Sequence, residues 1–134
     1  MDRDDMKART KAFALAVIRL TQALPRTETA RIIGRQLLRS GTSVGANYRA
    51  ACLARSTADF ISKLGIVAEE ADESQYWMEL LIEAKALDHA AVASLMNEAR
   101  EIASIAIASV GTARKHNPKF QIPSPKPKTQ SPKP

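Results

Sequence analysis

Residues 59–81 of the chain read DFISKLGIVAEEADESQYWMELL. Its apolar and small residues recur at alternating steps of four and three, which is the heptad spacing of a helix that packs along a neighbour. These positions are Phe60, Leu64, Val67, Ala71, Ser74, Met78 and Leu81. We therefore predict a long α-helix with one continuous buried seam inside a bundle of antiparallel helices.

A second apolar stripe lies on another side of the same predicted helix, and it comprises Ile66, Trp77, Leu80, Ala84 and Leu87. A helix in a monomeric bundle needs only one buried face, so a second apolar face predicts that this helix also contacts a further partner. Residues 102–110, IASIAIASV, are apolar or small around nearly the whole helical circumference. We expect them to form either a central helix of the bundle or an interface between subunits.

Three N-cap signals place the starts of further helices along the chain. Thr27 is suited to cap a second helix, because its hydroxyl can accept a hydrogen bond from a free N–H of the first turn. Ser56 opens a capping-box sequence that ends at Asp59, directly before the heptad stretch. Asp88 is the corresponding N-cap candidate for a fourth helix.

The stop signals complete an all-α pattern without strands. The first helix is expected over about residues 5–24, because the residue before Pro25 is biased out of helical backbone. The third is predicted to end near Leu87 and the fourth between residues 111 and 116. The predicted fold is an antiparallel, up-down four-helix bundle over residues 1–116.

Residues 117–134 form a separate segment rich in proline and lysine. Five of the last twelve residues are proline, and the segment contains no acidic residue. Such a composition buries too little apolar surface to fold, so we predict a disordered tail.

Charge is strongly polarised along the chain, whose net charge is +6. Residues 1–58 hold 11 Lys/Arg against four Asp/Glu, residues 59–113 hold three against ten, and residues 114–134 hold six against none. A basic first half and an acidic second half can steer a polyanion to one surface or pair subunits face to face.

The residue types that carry catalysis or bind metals are scarce. Cys52 is the only cysteine, and the only histidines, His89 and His116, lack the Glu-x-x-His spacing of di-iron bundles. The acidic cluster between residues 69 and 83 is more typical of a solvated or subunit-pairing face. We therefore expect no enzyme activity, no cofactor and no metal. The charged N-terminus and the short apolar runs predict a cytoplasmic protein without membrane contact.

The segment RSGTSVGANYR, residues 39–49, has the composition of a glycine-rich phosphate loop. However, no predicted strand precedes it and no lysine follows Gly45, so the nucleotide-binding motifs fail. Gly41 and Gly45 step by four, as do Ser43 and Asn47, so the segment can stay helical with a face of small residues. We expect two helices to meet closely here, with the polar side chains bonding to backbone groups or to a neighbouring helix.

Arginines cluster on the second predicted helix. Arg31, Arg35 and Arg39 repeat at i, i+4 and i+8 and are predicted to share one side, with Arg49 and Arg55 farther along. The planar guanidinium group of arginine can donate two hydrogen bonds to phosphate oxygens, so this face is a candidate binding surface for RNA or DNA. The alternative is that the arginines are solvated or pair with an acidic face. Aromatic residues are few, which predicts electrostatic, sequence-tolerant binding.

Two segments carry a family resemblance: RSGTSVGANYRAA from residue 39 and the heptad stretch from residue 59. They resemble the four-helix-bundle family named for proteins encoded in intervening sequences of bacterial large-subunit ribosomal RNA genes. They are also similar to the related accessory variability determinants of diversity-generating retroelements. The resemblance covers about residues 5–115. The matching motif positions are Arg39, Ser40, Ser43, Asn47, Asp59, Phe60, Lys63, Glu70, Tyr76 and Trp77.

This resemblance implies a helical bundle that assembles as a barrel-like homopentamer without catalytic activity, with motif positions that are mostly structural. For the retroelement branch it also implies association with nucleic acid and with a reverse transcriptase. Our hypothesis is a non-enzymatic oligomer that binds RNA or DNA through its arginine-bearing face. The alternative is a structural adaptor that recruits a protein and whose charges order its own ring.

Overall fold

A computed structural model describes residues 2–117, which form four α-helices and no strand. The helices are α1 (Arg3–Gln22), α2 (Glu28–Cys52), α3 (Thr57–Glu83) and α4 (His89–Lys115). The predicted all-α class is confirmed. None of these helices combines the length and the hydropathy that a segment crossing a bilayer needs. From residue 118 onward, the predicted tail lies outside the described residues.

Short connections and side-chain contacts show that successive helices run antiparallel. Arg3 at the start of α1 donates to the Cys52 carbonyl at the end of α2 over 3.5 Å. At the same end of the bundle, Asn117 beyond α4 donates to the hydroxyl of Thr57 at the start of α3 over 3.1 Å. α1 packs along α2 and α4 packs along α3, whereas α1 and α4 touch each other only lightly. This is the up-down order that the sequence predicts.

The heptad seam of α3 lies in the core, as predicted. The fully buried seam positions are Leu64, Val67, Ala71, Ser74, Met78 and Leu81, and Phe60 is half-buried against the same cluster. Ser74 is tolerated there because its hydroxyl bonds to Ser40 and also donates to the backbone carbonyl of Glu70 over 2.9 Å. The 4-3 spacing therefore identifies the packing face of this helix.

The helix starts agree with the cap signals. The Thr27 hydroxyl accepts from the Ala30 N–H over 3.2 Å, and the Ser56 hydroxyl accepts from the Asp59 N–H over 3.0 Å. Asp88 occupies the N-cap position of α4, but its side chain makes no capping hydrogen bond. The predicted ends of α4 and α1 are within two residues of the observed ones.

The predicted end of α3 near Leu87 is wrong, because the helix ends at Glu83. Lys85 has φ of 64°, which turns the chain into the left-handed region. The Ala86 N–H then donates to the Leu81 carbonyl over 2.8 Å, and the Lys85 N–H donates to the Ile82 carbonyl over 2.9 Å. These two bonds form a Schellman motif. The motif escaped sequence analysis because lysine stands where glycine is usual.

The outer faces of α3 and α4 keep apolar side chains in solvent. Trp77 in the predicted second stripe is half-buried, while its neighbour Tyr76 is 51% exposed. Ile107 of α4 is 63% exposed. Because α4 stands at the side of the bundle against α3, the prediction of a central helix is wrong. The prediction that it forms a subunit interface stays a prediction.

The small-residue segment of α2 brings α1 unusually close. α2 is continuous through this segment, so the prediction that it remains helical is confirmed. A Cβ atom added at Gly41 would lie 2.8 Å from both methyl carbons of Val17 in α1. A Cβ atom at Gly45 would lie 3.3 Å from the hydroxyl oxygen of Thr10. The two glycines therefore set the distance between the helices.

Replacing Gly41 by alanine should lower the midpoint of thermal unfolding, and replacing Gly65 by alanine should raise it. Alanine gains about 1 kcal/mol over glycine in a helix interior. At Gly65 nothing lies within 4 Å of the new methyl group, so that gain is retained. At Gly41 an overpacking cost of about 1 to 3 kcal/mol against buried Val17 exceeds it. A Gly41→Ala variant as stable as Gly65→Ala would contradict the close-packing account.

Candidate nucleic-acid interface

Three arginines of α2 share one outer side of the bundle. Arg31 and Arg49 are 18 residues apart, which is about five turns, so they point in the same direction about 27 Å from each other. Arg35 lies one turn beyond Arg31, and all three side chains are exposed. The outer surface between α1 and α2, along which these arginines lie, is called the α1–α2 face below.

One end of the α1–α2 face holds a cleft of about 550 Å³ next to the turn that joins the two helices. Arg31 and Arg35 line this turn cleft together with Arg26 and the apolar side chains of Leu24 and Leu38. Arg31 lies 3.8 Å from the carboxylate of Glu28, and both groups are exposed. An ion pair with such a long distance and such exposed groups contributes little to stability. Arg31 therefore keeps most of its attraction for an anion.

The other end of the α1–α2 face holds a groove of about 560 Å³, called the basic groove. Arg49 of α2 lines it opposite Lys7 and Lys11 of α1. Its remaining lining consists of small side chains, among them Gly45 and Ala46 at the close helix contact. No Asp or Glu contributes to the lining.

Arg39 does not belong to this surface, although the i, i+8 spacing places it with Arg31. It reaches to α3, where Nη1 donates to both oxygens of Glu70 at 3.2 Å and Nη2 donates to Glu73. The hydrogen bonds to Glu70 and Glu73 raise the pKa of Arg39 above its ordinary value. The charge of Arg39 is paired with carboxylates of the bundle itself. The predicted stripe of three arginines is therefore reduced to Arg31 and Arg35.

Arg55 is also separate, because it lies beyond α2 at the end of the bundle. It lines a pocket with Arg3, Phe60 and His116. The Arg3 guanidinium lies 5.5 Å from the centre of the Phe60 ring, a cation–π distance. The structure therefore divides the five predicted arginines among the turn cleft, the basic groove, the α2–α3 contact and the bundle end.

Tyr48, the aromatic residue closest in sequence to Arg49, is not available for base stacking. Its side chain is buried, with 8% of its surface exposed. Burial raises the pKa of Tyr48 to about 12, and the neighbouring Cys52 adds to that effect. Tyr48 is a neutral core residue over the physiological pH range.

The polar motif residues of α2 bond within the bundle. Ser43 donates to the Arg39 carbonyl over 2.7 Å, and Asn47 donates to the Ser43 carbonyl over 2.9 Å. Ser40 is buried and bonds both to the Leu37 carbonyl and to Ser74. Ser43 and Asn47 therefore bond to backbone carbonyls of their own helix, the first of the two ways expected from the sequence, whereas Ser40 also bonds to a neighbouring helix.

The α3 motif residues stand around the ion pairs of Arg39. Trp77 Nε1 donates to Glu73 over 2.9 Å, and the Tyr76 ring meets the Trp77 ring edge-on with centroids 5.0 Å apart. The network Arg39–Glu73–Trp77 thus joins α2 to the exposed aromatic side of α3. Of the other motif positions, Asp59 lies in the first turn of α3 and Lys63 is half-buried on the same helix.

No pattern in the sequence singled out Lys7, Lys11 or Arg9. The two lysines are one turn apart on α1, and this spacing is visible in the sequence, but only the register of α1 against α2 places them opposite Arg49. Arg9 joins α1 to α4: Nε lies 2.6 Å from Glu98, and Nη2 lies 2.6 Å from Glu101. The hydrogen bond to Glu98 raises the pKa of Arg9, and the hydrogen bond from Arg9 lowers that of Glu101.

Across residues 2–117, no three His, Cys, Asp or Glu side chains are grouped so as to hold a metal ion. The expected lack of a cofactor and of catalysis stays a prediction.

Comparison with known proteins adds to these observations. The sequence profile of 23S rRNA-intervening sequence proteins matches residues 4–108. The chain is also similar to a crystal structure from Bacteroides thetaiotaomicron, described as a protein with unknown function from the S23 ribosomal protein family. The TM-score is 0.77 at 37% sequence identity, over 83% of this chain and 99% of the other. No curated protein matches the chain.

Proposed function

The chain belongs to the 23S rRNA-intervening sequence protein family, and from this premise we propose that it is a non-enzymatic, oligomeric helical-bundle protein that binds RNA or DNA. The proposed contact surface is the α1–α2 face. Arg31, Arg35 and Arg49 are the contact residues supplied by α2, whereas Arg39 is left out because Glu70 and Glu73 satisfy it.

The observation that carries the proposal is the unequal pairing of cations on the two sides of α2. Towards α3, Arg39 is held by two carboxylates. On the α1–α2 face, neither Arg35 nor Arg49 forms an ion pair with any residue between 2 and 117. Uncompensated guanidinium groups aligned along one side of a helix attract a chain of phosphates.

The chemistry of this surface supports binding without base recognition. Tyr48 is buried, and no other aromatic residue between 2 and 117 lines the turn cleft or the basic groove. Binding is then carried by phosphate contacts, which position a nucleic acid but do not select its sequence. Affinity should fall linearly with salt on a double-logarithmic scale.

A filter-binding salt series with single- and double-stranded RNA and DNA tests the proposal. The matched variants are Arg35→Gln and Arg39→Gln, which remove the same charge one turn apart on α2. Loss of a phosphate contact at Arg35 should reduce the slope of log K against log salt by about 0.7 for single strands or 0.9 for duplexes. Arg39→Gln should leave the slope unchanged.

Absence of binding by the unmodified protein at low salt would refute the proposal. That result would favour the adaptor hypothesis, in which the exposed Tyr76 beside Trp77 recruits a protein. An equal loss of slope in both variants would show dependence on net charge alone and would contradict the assignment to the α1–α2 face.

We further propose that the protein assembles as a homo-oligomeric ring, with five subunits as the family resemblance implies. The support from the fold is the large apolar side chains left in solvent, among them Ile107 of α4 and Leu53 after α2, which are 63% and 80% exposed. Such side chains lose contact with water when subunits associate. Association with a reverse transcriptase rests on the resemblance to the retroelement branch and stays a prediction.

Light scattering of the purified full-length chain tests the assembly. The expected mass is five times the 14.6 kDa of one chain. An Ile107→Asp variant should reduce that mass, because a carboxylate buried at an interface is costly to desolvate. A monomer mass for the unmodified protein at micromolar concentration would contradict the proposed oligomer.

A further inference from the structure

The basic groove is a built feature of the fold rather than a chance gathering of surface lysines. Lys7 and Lys11 stand one turn apart on α1, a rise of about 6 Å, and Arg49 stands across the groove on α2. The helix register that brings them together is fixed by the glycine contacts, with Gly45 against Thr10 and Gly41 against Val17.

The groove stays open because the residues along its inner surface have small side chains. Ala8 and Ala14 of α1 face Gly45 and Ala46 of α2 along its length. Larger residues at these positions would fill the space between the two helices. The result is an open channel with cations on both walls and small apolar groups between them.

The three cations of the groove have no carboxylate partner. Within residues 2–117, Lys7, Lys11 and Arg49 form no ion pair, and no acidic side chain lines the groove. Arg9, on the next side of α1, is by contrast held by Glu98 and Glu101. The bundle thus compensates the arginines at its helix contacts and leaves the groove cations without compensation.

We propose that the basic groove holds the phosphodiester backbone of a nucleic acid, with Lys7 and Lys11 on one wall and Arg49 on the other. The described lining of the groove offers cations to phosphate oxygens and no aromatic ring or carboxylate to a base, so the groove contacts the backbone without selecting sequence. This inference rests on the proposed function. It adds α1 to the contact surface and names the two lysines that the arginine pattern omits.

The test compares two triple variants that remove the same charge. The groove variant is Lys7→Gln, Lys11→Gln, Arg49→Gln, and the control is Arg19→Gln, Lys63→Gln, Lys85→Gln, whose positions lie outside the groove. Fluorescence anisotropy is measured with labelled single-stranded RNA, single-stranded DNA and duplex DNA over a salt series. Circular dichroism melting checks that both variants fold.

The groove variant should lose about 2 units of slope in log K against log salt for single strands, or about 3 for duplexes, while the control keeps the unmodified slope. The RNA and DNA arms show which backbone the groove prefers. If the unmodified protein binds but the groove variant keeps its slope, the groove assignment is overturned, Arg49 is removed from the contact surface, and the proposed binding through Arg31 and Arg35 stands. If the control loses as much slope as the groove variant, binding depends on net charge alone, which overturns the groove assignment and leaves only the proposed binding of nucleic acid. If the unmodified protein does not bind, both fail. If the groove variant does not fold, the salt slopes of the single variants Lys11→Gln and Lys63→Gln are compared in the same way.

Discussion

The close approach of α1 to α2 at Gly41 and Gly45 fixes how these two helices pack. A methyl group at Gly41 would lie 2.8 Å from Val17, a residue that is completely buried in the core. The same approach sets the register that places Lys7 and Lys11 opposite Arg49. Core packing and the shape of the charged surface are therefore two consequences of one helix contact.

The distribution of ion pairs follows from the polarised sequence. Each of the basic helices α1 and α2 has one arginine that bonds to two carboxylates of another helix: Arg9 bonds to Glu98 and Glu101 of α4, and Arg39 bonds to Glu70 and Glu73 of the acidic helix α3. Partly exposed pairs of this kind add little stability, but they join α1 to α4 and α2 to α3. On the α1–α2 face, by contrast, the only cation of the basic groove and turn cleft that pairs with a described carboxylate is Arg31, through its open contact with Glu28.

Much of the fold could be predicted from the sequence because its signals are local. The 4-3 spacing of α3 gave its buried face, and Thr27 and Ser56 cap the helices that follow them. The end of α3 could not be predicted, since Lys85 adopts a conformation that its residue type disfavours. Apolar residues occur around nearly the whole circumference of α4, but this pattern did not show whether α4 lies at the centre of the bundle. Periodicity shows how apolar a helix is, not which helices it packs against.

The candidate site was less predictable, because it is defined across helices. The spacing of Arg31, Arg35 and Arg39 placed them on successive turns of α2. It could not show that Arg39 would pair with Glu70 and Glu73 of α3. The contribution of Lys7 and Lys11 depends on how α1 is aligned with α2, which a pattern along one helix does not contain. The small residues around Gly45 were the available clue, since they predicted a close helix contact at that point.

Contact between the α1–α2 face and nucleic acid can be measured by acetylating the lysines of the unmodified protein with and without bound RNA and quantifying each site by mass spectrometry. All of the lysines compared belong to one sample, so Lys63 and Lys85 of the α3 side serve as internal references. RNA should protect Lys7 and Lys11 and leave Lys63 and Lys85 equally reactive. Protection of Lys63 and Lys85 with Lys7 and Lys11 unchanged would contradict contact through the α1–α2 face.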